Sequence, residues 1–218
     1  WAVFRYAPSW SAEHPGEFLR GYPGYVQGDG YAGYGSTVGP PGQEHVVVIP
    51  ERRLGCGMHV RRPFEAAAKA GDARGAVAVA YFRKLYHIER VCKEEGLDPD
   101  ARLVRRRELS VPVLTELRGW IDRLHPALVP GEPLYKATTY ARNQWEFFER
   151  CFTDGRFEID NGLAERGLRL VVLGERNYLF AGSEVGALRL AIGYTIVTTC
   201  RLQGVDPVAY LGDVIELL

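Results

Sequence analysis

The sequence predicts an α/β fold in which a long helical segment separates two strand-containing regions. Short runs of aromatic and β-branched residues dominate the first sixty residues, capped helices with regularly spaced apolar positions fill residues 64–153, and a mixed pattern then returns. A chain of 218 residues with 46% hydrophobic composition can form one sizeable core with an inserted lobe. We therefore expect a core built from residues 1–63 and 154–218 and a helical insertion over residues 64–153.

The first region predicts strands with one short helix between them. Residues 1–7, WAVFRYA, have a strand composition, and Ser11 can cap a short helix after them. GYVQGD ends a second strand at Asp29, and a loop rich in Gly and Pro follows. HVVVIP, residues 45–50, predicts a buried strand, and LGCGMH, residues 54–59, another short one.

Helix signals then follow one another closely. A helix that begins in HVRRPFEAAAKAG can end at Gly71, and Asp72 can cap the next helix, which runs to about Glu95. Asp98-Pro99 begins a long helix toward Leu124 with a kink at Pro112. After a loop over residues 126–133, a further helix covers residues 134–152.

The last region returns to mixed structure. RFEI, residues 156–159, predicts a strand, and a helix begins at Asp160 or Asn161. NYLFAGS, residues 177–183, fits a strand or a loop. Ser183 and Asp206 can each cap one of the two final helices.

Charge and cysteine content narrow the classes of function. The chain carries 27 basic and 27 acidic residues, so any contact with DNA must come from local patches. The four cysteines lack zinc-site spacing and fit reduced thiols in a cytoplasmic protein, and the longest apolar run is too short to cross a membrane. Trp1 opens the chain and Met58 is its only methionine, so we expect a longer parent protein.

Two carboxylates stand where a metal site would need them. Asp29 lies between Gly28 and Gly30 at a predicted strand end, although an Asp in such a turn also bonds to its own backbone. Glu165 lies about one turn into the helix of EIDNGLAERGLRL, where the helix N-terminus keeps it ionised. The alternative for Glu165 is an ordinary ion pair with Arg169, four residues on.

Basic side chains accompany both acids. CGMHVRRPF places His59, Arg61 and Arg62 at a strand-to-helix junction, which is a natural seat for a phosphate, although solvated arginines and a packed histidine also fit. In the later region, arginines that can bind phosphate stand at three positions, Arg166, Arg169 and Arg176.

The order of the motifs resembles one known family. QGDGYAGY, GCGMHVRRPF, NQWE, EIDNGLAERGLR, GERNYLFAGS and GVDPVAYLGDVI are similar, in order and spacing, to the insertion-sequence-sixty-six family of bacterial transposases. The resemblance covers nearly the whole chain. It implies an RNase H-like core with an all-α insertion, in which three acids hold two Mg²⁺ or Mn²⁺ ions.

The resemblance assigns Asp29 as the second acid and Glu165 as the third. The first acid of the family lies on a strand upstream of the YAPS-like stretch, and no Asp precedes Asp29 here. We therefore expect this chain to be the C-terminal part of a transposase, without the N-terminal regions, and to be inactive in strand cleavage by itself. The implied partners are DNA, at element ends and target, and further copies of the protein on that DNA, with no membrane.

Two other functions stay open at this stage. One is a catalytically inactive DNA-binding or assembly module, because one acid is missing from the chain. The other is a tyrosine recombinase, suggested by His59, the arginines and the many tyrosines, although its Arg-His-Arg-Tyr layout is not found. Metal-dependent cleavage supports the transposase, whereas a covalent phosphotyrosyl link would identify the recombinase.

Overall fold

The computed structural model describes residues 1–178 and 181–217. The chain divides into two compact units, each described by itself below. The helical unit is Pro15–Asn161, and the terminal unit combines Trp1–His14 with Gly162–Leu218.

The helical unit contains four very short strands and six helices. Its strands are β1 (Val26–Gln27), β2 (Thr37–Val38), β3 (His45–Val46) and β4 (Arg53–Leu54). β1 pairs with β4 in parallel, with Val26 opposite Arg53, and β2 pairs with β3 antiparallel. The helices are α1 (Glu13–Leu19, which begins just before the unit), α2 (Gly57–Lys69), α3 (Ala73–Glu94), α4 (Pro99–Arg105), α5 (Val111–Leu124) and α6 (Pro133–Arg150).

The helix boundaries follow the predicted local signals. Gly71 has φ 97° and ends α2, and the side chain of Asp72 then accepts a hydrogen bond from the backbone N–H of Arg74. Asp98 caps α4 in the same way, by accepting from the N–H of Ala101. Residues 106–110 form a π-helical turn directly before Pro112. A proline lacks an N–H and crowds the preceding turn, which accounts for this wider turn, whereas the kink at Pro112 stays a prediction.

Four helices enclose the core of the helical unit. α2, α3, α5 and α6 bury a continuous apolar cluster whose largest fully buried members include Phe64, Phe82, Leu117, Ile121 and Phe148. Residues 64–153, all of which the structure describes, contain no strand. The expected all-helical character of this interval is therefore confirmed, whereas its role as an insertion between two core segments stays a prediction.

A cluster of four charged side chains, three of them buried, ties the end of this unit to its core. Arg102 and Arg106 both bind Glu89, with Arg106 Nε 2.7 Å from Oε1 and Arg102 Nε 2.9 Å from Oε2. Arg102 also binds Glu158 at 3.1 Å, and Arg106 donates to the carbonyls of residues 151, 154 and 157. The arginine cluster (Glu89, Arg102, Arg106 and Glu158) therefore fixes residues 151–158 against α3 and α4.

The terminal unit contains three helices among its described residues. They are α7 (Gly162–Tyr178), α8 (Glu184–Leu202, capped by Ser183 as predicted) and α9 (Pro207–Glu216, capped by Asp206 as predicted). In the part of the chain that the structure describes, α8 is the one helix whose length and composition would allow it to cross a membrane. Core helices of soluble proteins meet the same test.

Several predicted strands are not formed. Residues 1–7 run along α8, where the N–H groups of Ala2 and Phe4 donate to the hydroxyls of Thr199 and Thr195. Residues 156–159 form turns, because their neighbours are bound by the arginine cluster. β3 covers only His45–Val46; Val47 and Val48 still donate their N–H groups to the carbonyls of Ser36 and Tyr34, and a short 3-10 turn begins at Pro50. Of the LGCGMH stretch, only Leu54 lies in a strand, β4, before α2 begins at Gly57.

Pairing explains these differences, because a strand needs a neighbour that its own composition does not specify. The NYLFAGS prediction falls partly on residues 179–180, outside the described residues, while residues 177–178 still belong to α7. The described residues are thus mostly helical, with two small sheets among them. The α/β class holds only in this limited sense, and the expected RNase H-like core is not confirmed.

Candidate functional site

Asp29 lies two residues beyond β1, at the edge where the parallel pair β1 and β4 ends. In parallel sheets this carboxyl-terminal edge is where ligands usually bind. The Asp29 Oδ1 accepts a hydrogen bond from the N–H of Tyr31 at 3.0 Å, so the turn predicted as an alternative is formed. That bond occupies one lone pair only, and Oδ2 has no hydrogen-bond partner in the described residues.

Arg53, at the start of β4, packs directly against the backbone of Asp29. Its Nη2 donates to the Asp29 carbonyl at 3.2 Å and to Gln144 Oε1 at 3.3 Å. The guanidinium lies over the ring of Phe147 at 4.3 Å and near that of Tyr34 at 5.5 Å. The aromatic faces and two hydrogen bonds therefore hold this cation in one orientation beside Asp29.

Two tyrosines complete the surroundings of the carboxylate. Burial, followed by the negative charge of Asp29, raises the pKa of both Tyr34 and Tyr140. The flanking glycines permit this approach, because a Cβ on Gly28 would lie 2.8 Å from the Tyr34 ring and one on Gly30 would lie 2.5 Å from the Tyr140 hydroxyl. We call Asp29, Tyr34, Arg53, Tyr140 and Gln144 the Asp29 site.

His59, Arg61 and Arg62 lie in the first two turns of α2, as the strand-to-helix prediction requires. Arg61 is not simply solvated, because its Nε lies 3.0 Å from a Glu65 carboxylate oxygen and its guanidinium lies over the Tyr86 ring at 5.1 Å. Arg62 is exposed and His59 is half-buried. The junction thus presents an exposed cation next to one that Glu65 already neutralises in part.

The chain is fixed just before it enters α7. Tyr86 donates its hydroxyl to Asp160 Oδ2 at 2.7 Å, and Gly57 donates its N–H to the carbonyl of Ile159 at 2.8 Å. Burial and the hydrogen bond to Asp160 raise the pKa of Tyr86, which therefore keeps its proton and remains a donor. Residues 159–160 are consequently anchored to the first turn of α2 and to α3.

Glu165 lies in the first turn of α7, somewhat nearer the helix start than the sequence predicts. The alternative, an ion pair between Glu165 and Arg169, stays a prediction. Arg166, Arg169 and Arg176 are exposed and lie within about 80° of one another around the helix, by the 100° step of an α-helix. They form one basic side of α7.

The predicted metal-binding and DNA-binding residues are therefore divided between the two units. Asp29, His59, Arg61 and Arg62 belong to the helical unit, whereas Glu165 belongs to the terminal unit with the α7 arginines. In the described residues, no three His, Cys, Asp or Glu side chains come together as a metal site would require. The pairing of Asp29 with Glu165 stays a prediction.

Sequence reasoning did not find Arg53, Tyr140 or Gln144 as neighbours of Asp29. Arg53 stands in a run of charged residues, ERRL, that gives no sign of burial. Tyr140 and Gln144 are four residues apart on α6, so they share one side of that helix, but nothing local connects that side to residue 29.

Comparison with known proteins gives the family. Residues 1–189 match the family described as "Transposase IS66 family". Three relatives come from Sinorhizobium fredii (strain NBRC 101917 / NGR234). "Uncharacterized protein y4hP" is 34% identical over 98% of this chain and 40% of its own length. "Uncharacterized protein y4jD" is 28% identical over 97% of this chain and 41% of its own length, and "Uncharacterized protein y4qI" is 28% identical over 97% and 39%.

The chain thus spans about 40% of the length of these relatives. No solved structure matches it. The family match covers most of the chain, from Trp1 through α7 into α8, and includes both predicted acids and every predicted basic residue. The chain belongs to the IS66 family of transposases.

Proposed function

We propose that the chain is the catalytic portion of a bacterial insertion-sequence transposase that cuts and joins DNA with divalent metal ions. The observation that carries this proposal is Asp29, a half-buried carboxylate at the end of a parallel strand pair. One of its oxygens has no hydrogen-bond donor among the described residues, and a fixed cation lies beside it. Family membership supports the same function. We propose that the protein acts in the cytoplasm, where the bacterial DNA lies.

Asp29 and Glu165 are the proposed metal ligands. Carboxylate oxygen is the ligand that Mg²⁺ and Mn²⁺ prefer, and Asp29 Oδ2 fits because no donor from residues 1–178 or 181–217 occupies it. Glu165 lies in the first turn of α7, where the positive end of the helix dipole favours a bound carboxylate and its negative charge. A third acid, outside this chain, would complete the set, as in the family it resembles. When bound, two such ions supply an activated water and a stabilised leaving oxygen.

The proposed reaction is phosphodiester hydrolysis followed by transesterification. Water adds to the phosphorus at the element end, the bond from phosphorus to O3′ breaks, and that oxygen leaves with a proton as a free 3′-hydroxyl. This hydroxyl then attacks a phosphodiester of the target, releasing a target 3′-hydroxyl in exchange. No covalent bond between protein and DNA forms at any step.

Basic residues outside the two acids would hold the DNA. His59 and Arg62 at the start of α2 and the three arginines along one side of α7 are proposed to contact backbone phosphates, with Arg61 contributing if it exchanges Glu65 for a phosphate. Copies of the protein are proposed to assemble on the two element ends. Each phosphate contact removed should reduce the slope of log affinity against log salt by about 0.9.

The test is cleavage of a duplex carrying the terminal sequence of the element, by the parent protein that contains this chain, with Mg²⁺ or Mn²⁺. We expect nicking that requires the ion and disappears in Asp29→Asn and in Glu165→Gln. Glu175→Gln is the matched control, because Glu175 is an exposed carboxylate on the same helix as Glu165.

Three results would oppose the proposal. Nicking that survives both substitutions would remove the two acids from the site. Binding of the duplex without any metal-dependent nicking would favour a DNA-binding or assembly module instead. A protein–DNA adduct on a denaturing gel would indicate a tyrosine recombinase.

A further inference from the structure

Buried arginines in the helical unit are of two kinds. Among the described residues, Arg53, Arg102 and Arg106 are buried, with 8%, 8% and 0% of their surface exposed. The last two share Glu89, so each has a buried carboxylate partner. Arg53 has none, since its two hydrogen bonds go to the uncharged oxygens of the Asp29 carbonyl and the Gln144 amide.

The charge of Arg53 is also incompletely hydrogen-bonded. Its Nε is buried and has no partner among the described residues. Burial lowers the pKa of the Arg53 guanidinium from its ordinary value, and the nearby Tyr34, Asp29 and Tyr140 act in the opposite direction. Taking a cation out of water without a carboxylate hydrogen-bonded to it is costly, and proteins accept this mainly where the charge has a use.

The surroundings of Arg53 suit an anion with several oxygens. The Phe147 and Tyr34 rings fix the plane of the guanidinium, so little freedom is lost when it binds. A planar guanidinium binds phosphate oxygens in a fork, more strongly when water is excluded. Its position against the Asp29 backbone places it at the edge of the sheet where the reacting phosphate is expected.

We propose that Arg53 binds a non-bridging oxygen of the DNA phosphate that reacts at the Asp29 site. The proposal rests on the function proposed above and adds a residue to it. An arriving phosphate supplies a hydrogen-bonded anion for Arg53. Until that phosphate is present, the positive charge of Arg53 repels a metal ion from Asp29.

This role has two effects of opposite sign. Removing the Arg53 charge should weaken binding of DNA, because one phosphate contact is lost. It should also tighten binding of a divalent ion in the absence of DNA, because a repelling cation next to Asp29 is gone. A side chain that only supports the fold would not produce this pair of changes.

The experiment compares two forms of the element-end duplex in EDTA, one natural and one with an uncharged methylphosphonate at the cleavage position. The proteins are wild type, Arg53→Met and Arg53→Lys, all in the parent protein and all checked by thermal unfolding. Arg52→Met is the control, because Arg52 is the exposed neighbour in sequence. Affinity for Mn²⁺ alone is measured on the same proteins.

We expect the methylphosphonate to weaken binding by wild type and by the Arg52 variant roughly tenfold at 0.1 M salt. Arg53→Met should bind the natural duplex roughly tenfold more weakly, lose nothing further with the methylphosphonate, and bind Mn²⁺ more tightly than wild type. Arg53→Lys should keep the sensitivity to the methylphosphonate, which shows a role of the charge even if the Met variant does not fold.

Either of two results overturns the proposal while leaving the proposed function intact. One is an Arg53→Met protein that still loses tenfold affinity with the methylphosphonate. The other is an Arg53→Lys protein, folded, that has lost the sensitivity to it while Asp29→Asn still abolishes nicking by wild type. Failure of wild type to bind or nick the natural duplex would instead refute the function on which the proposal rests.

Discussion

Replacing Glu89 by Gln should lower the free energy of unfolding by about 3–5 kcal/mol, because it breaks a buried ion pair and leaves cations behind. Glu89 binds Arg102 and Arg106 through four hydrogen bonds. The Gln side chain keeps the shape but removes the charge, so Arg106, with no exposed surface, retains only carbonyl partners. Arg102 retains Glu158, which is largely exposed and screened by water.

For a chain of this length such a loss corresponds to a fall in Tm of roughly 6–20 °C. Urea unfolding followed by circular dichroism measures the free energy directly. Glu94→Gln is the matched control, since Glu94 lies on the same helix and pairs with Arg90 in an exposed i,i+4 ion pair, and its loss should cost less than about 0.5 kcal/mol. Equal stability of the two variants would refute the claim that the arginine cluster stabilises this unit.

Two further predictions concern the same part of the fold. Burial acts to raise the pKa of Glu158, but the hydrogen bonds from Arg102 and Lys93 outweigh it and lower that pKa. The contribution of Glu158 to the free energy of unfolding is therefore complete above about pH 4.3 and is lost as the pH falls through the lowered value. Glu158→Gln should flatten the curve of stability against pH in that range, and an unchanged curve would contradict this. Gly155→Ala should lower the free energy of unfolding by about 1–3 kcal/mol, because the alanine Cβ would lie 1.8 Å from the Pro99 carbonyl oxygen. Gly119→Ala in α5 is the control and should leave that free energy unchanged or raise it in the same urea assay. A larger loss for Gly119→Ala than for Gly155→Ala would contradict the packing described.

Local signals explain which parts of the fold were predictable. Asp72, Asp98, Ser183 and Asp206 all cap helices as predicted, because a cap depends on its own side chain and the next three residues. Residues 1–7 were predicted as a strand and are not one, because pairing depends on a neighbour that composition does not reveal.

In the candidate site, too, the residue with a local sequence signal was predictable and its distant neighbours were not. Asp29 was identifiable from its glycine neighbours and from the family resemblance, because both signals can be recognised in a short continuous stretch of sequence. Its partners were not, because Arg53 comes from a different strand and Tyr140 and Gln144 from a helix more than a hundred residues away. The arginine cluster was missed for a related reason: the sequence RLVRRRE is typical of a solvated helix surface, and only tertiary packing buries two of its arginines.

We propose that Asp29 and Glu165 hold metal ions in common, and iron-directed cleavage of the polypeptide can show whether they do. Fe²⁺ loaded into the parent protein, with ascorbate and peroxide, generates hydroxyl radicals that cut the backbone beside the ion. If the two residues share the ions, the backbone should be cut near both residue 29 and residue 165. Excess Mg²⁺, Asp29→Asn or Glu165→Gln should each suppress both cuts together. Cuts near only one of the two positions, or cuts at the second that survive substitution of the first, would contradict it.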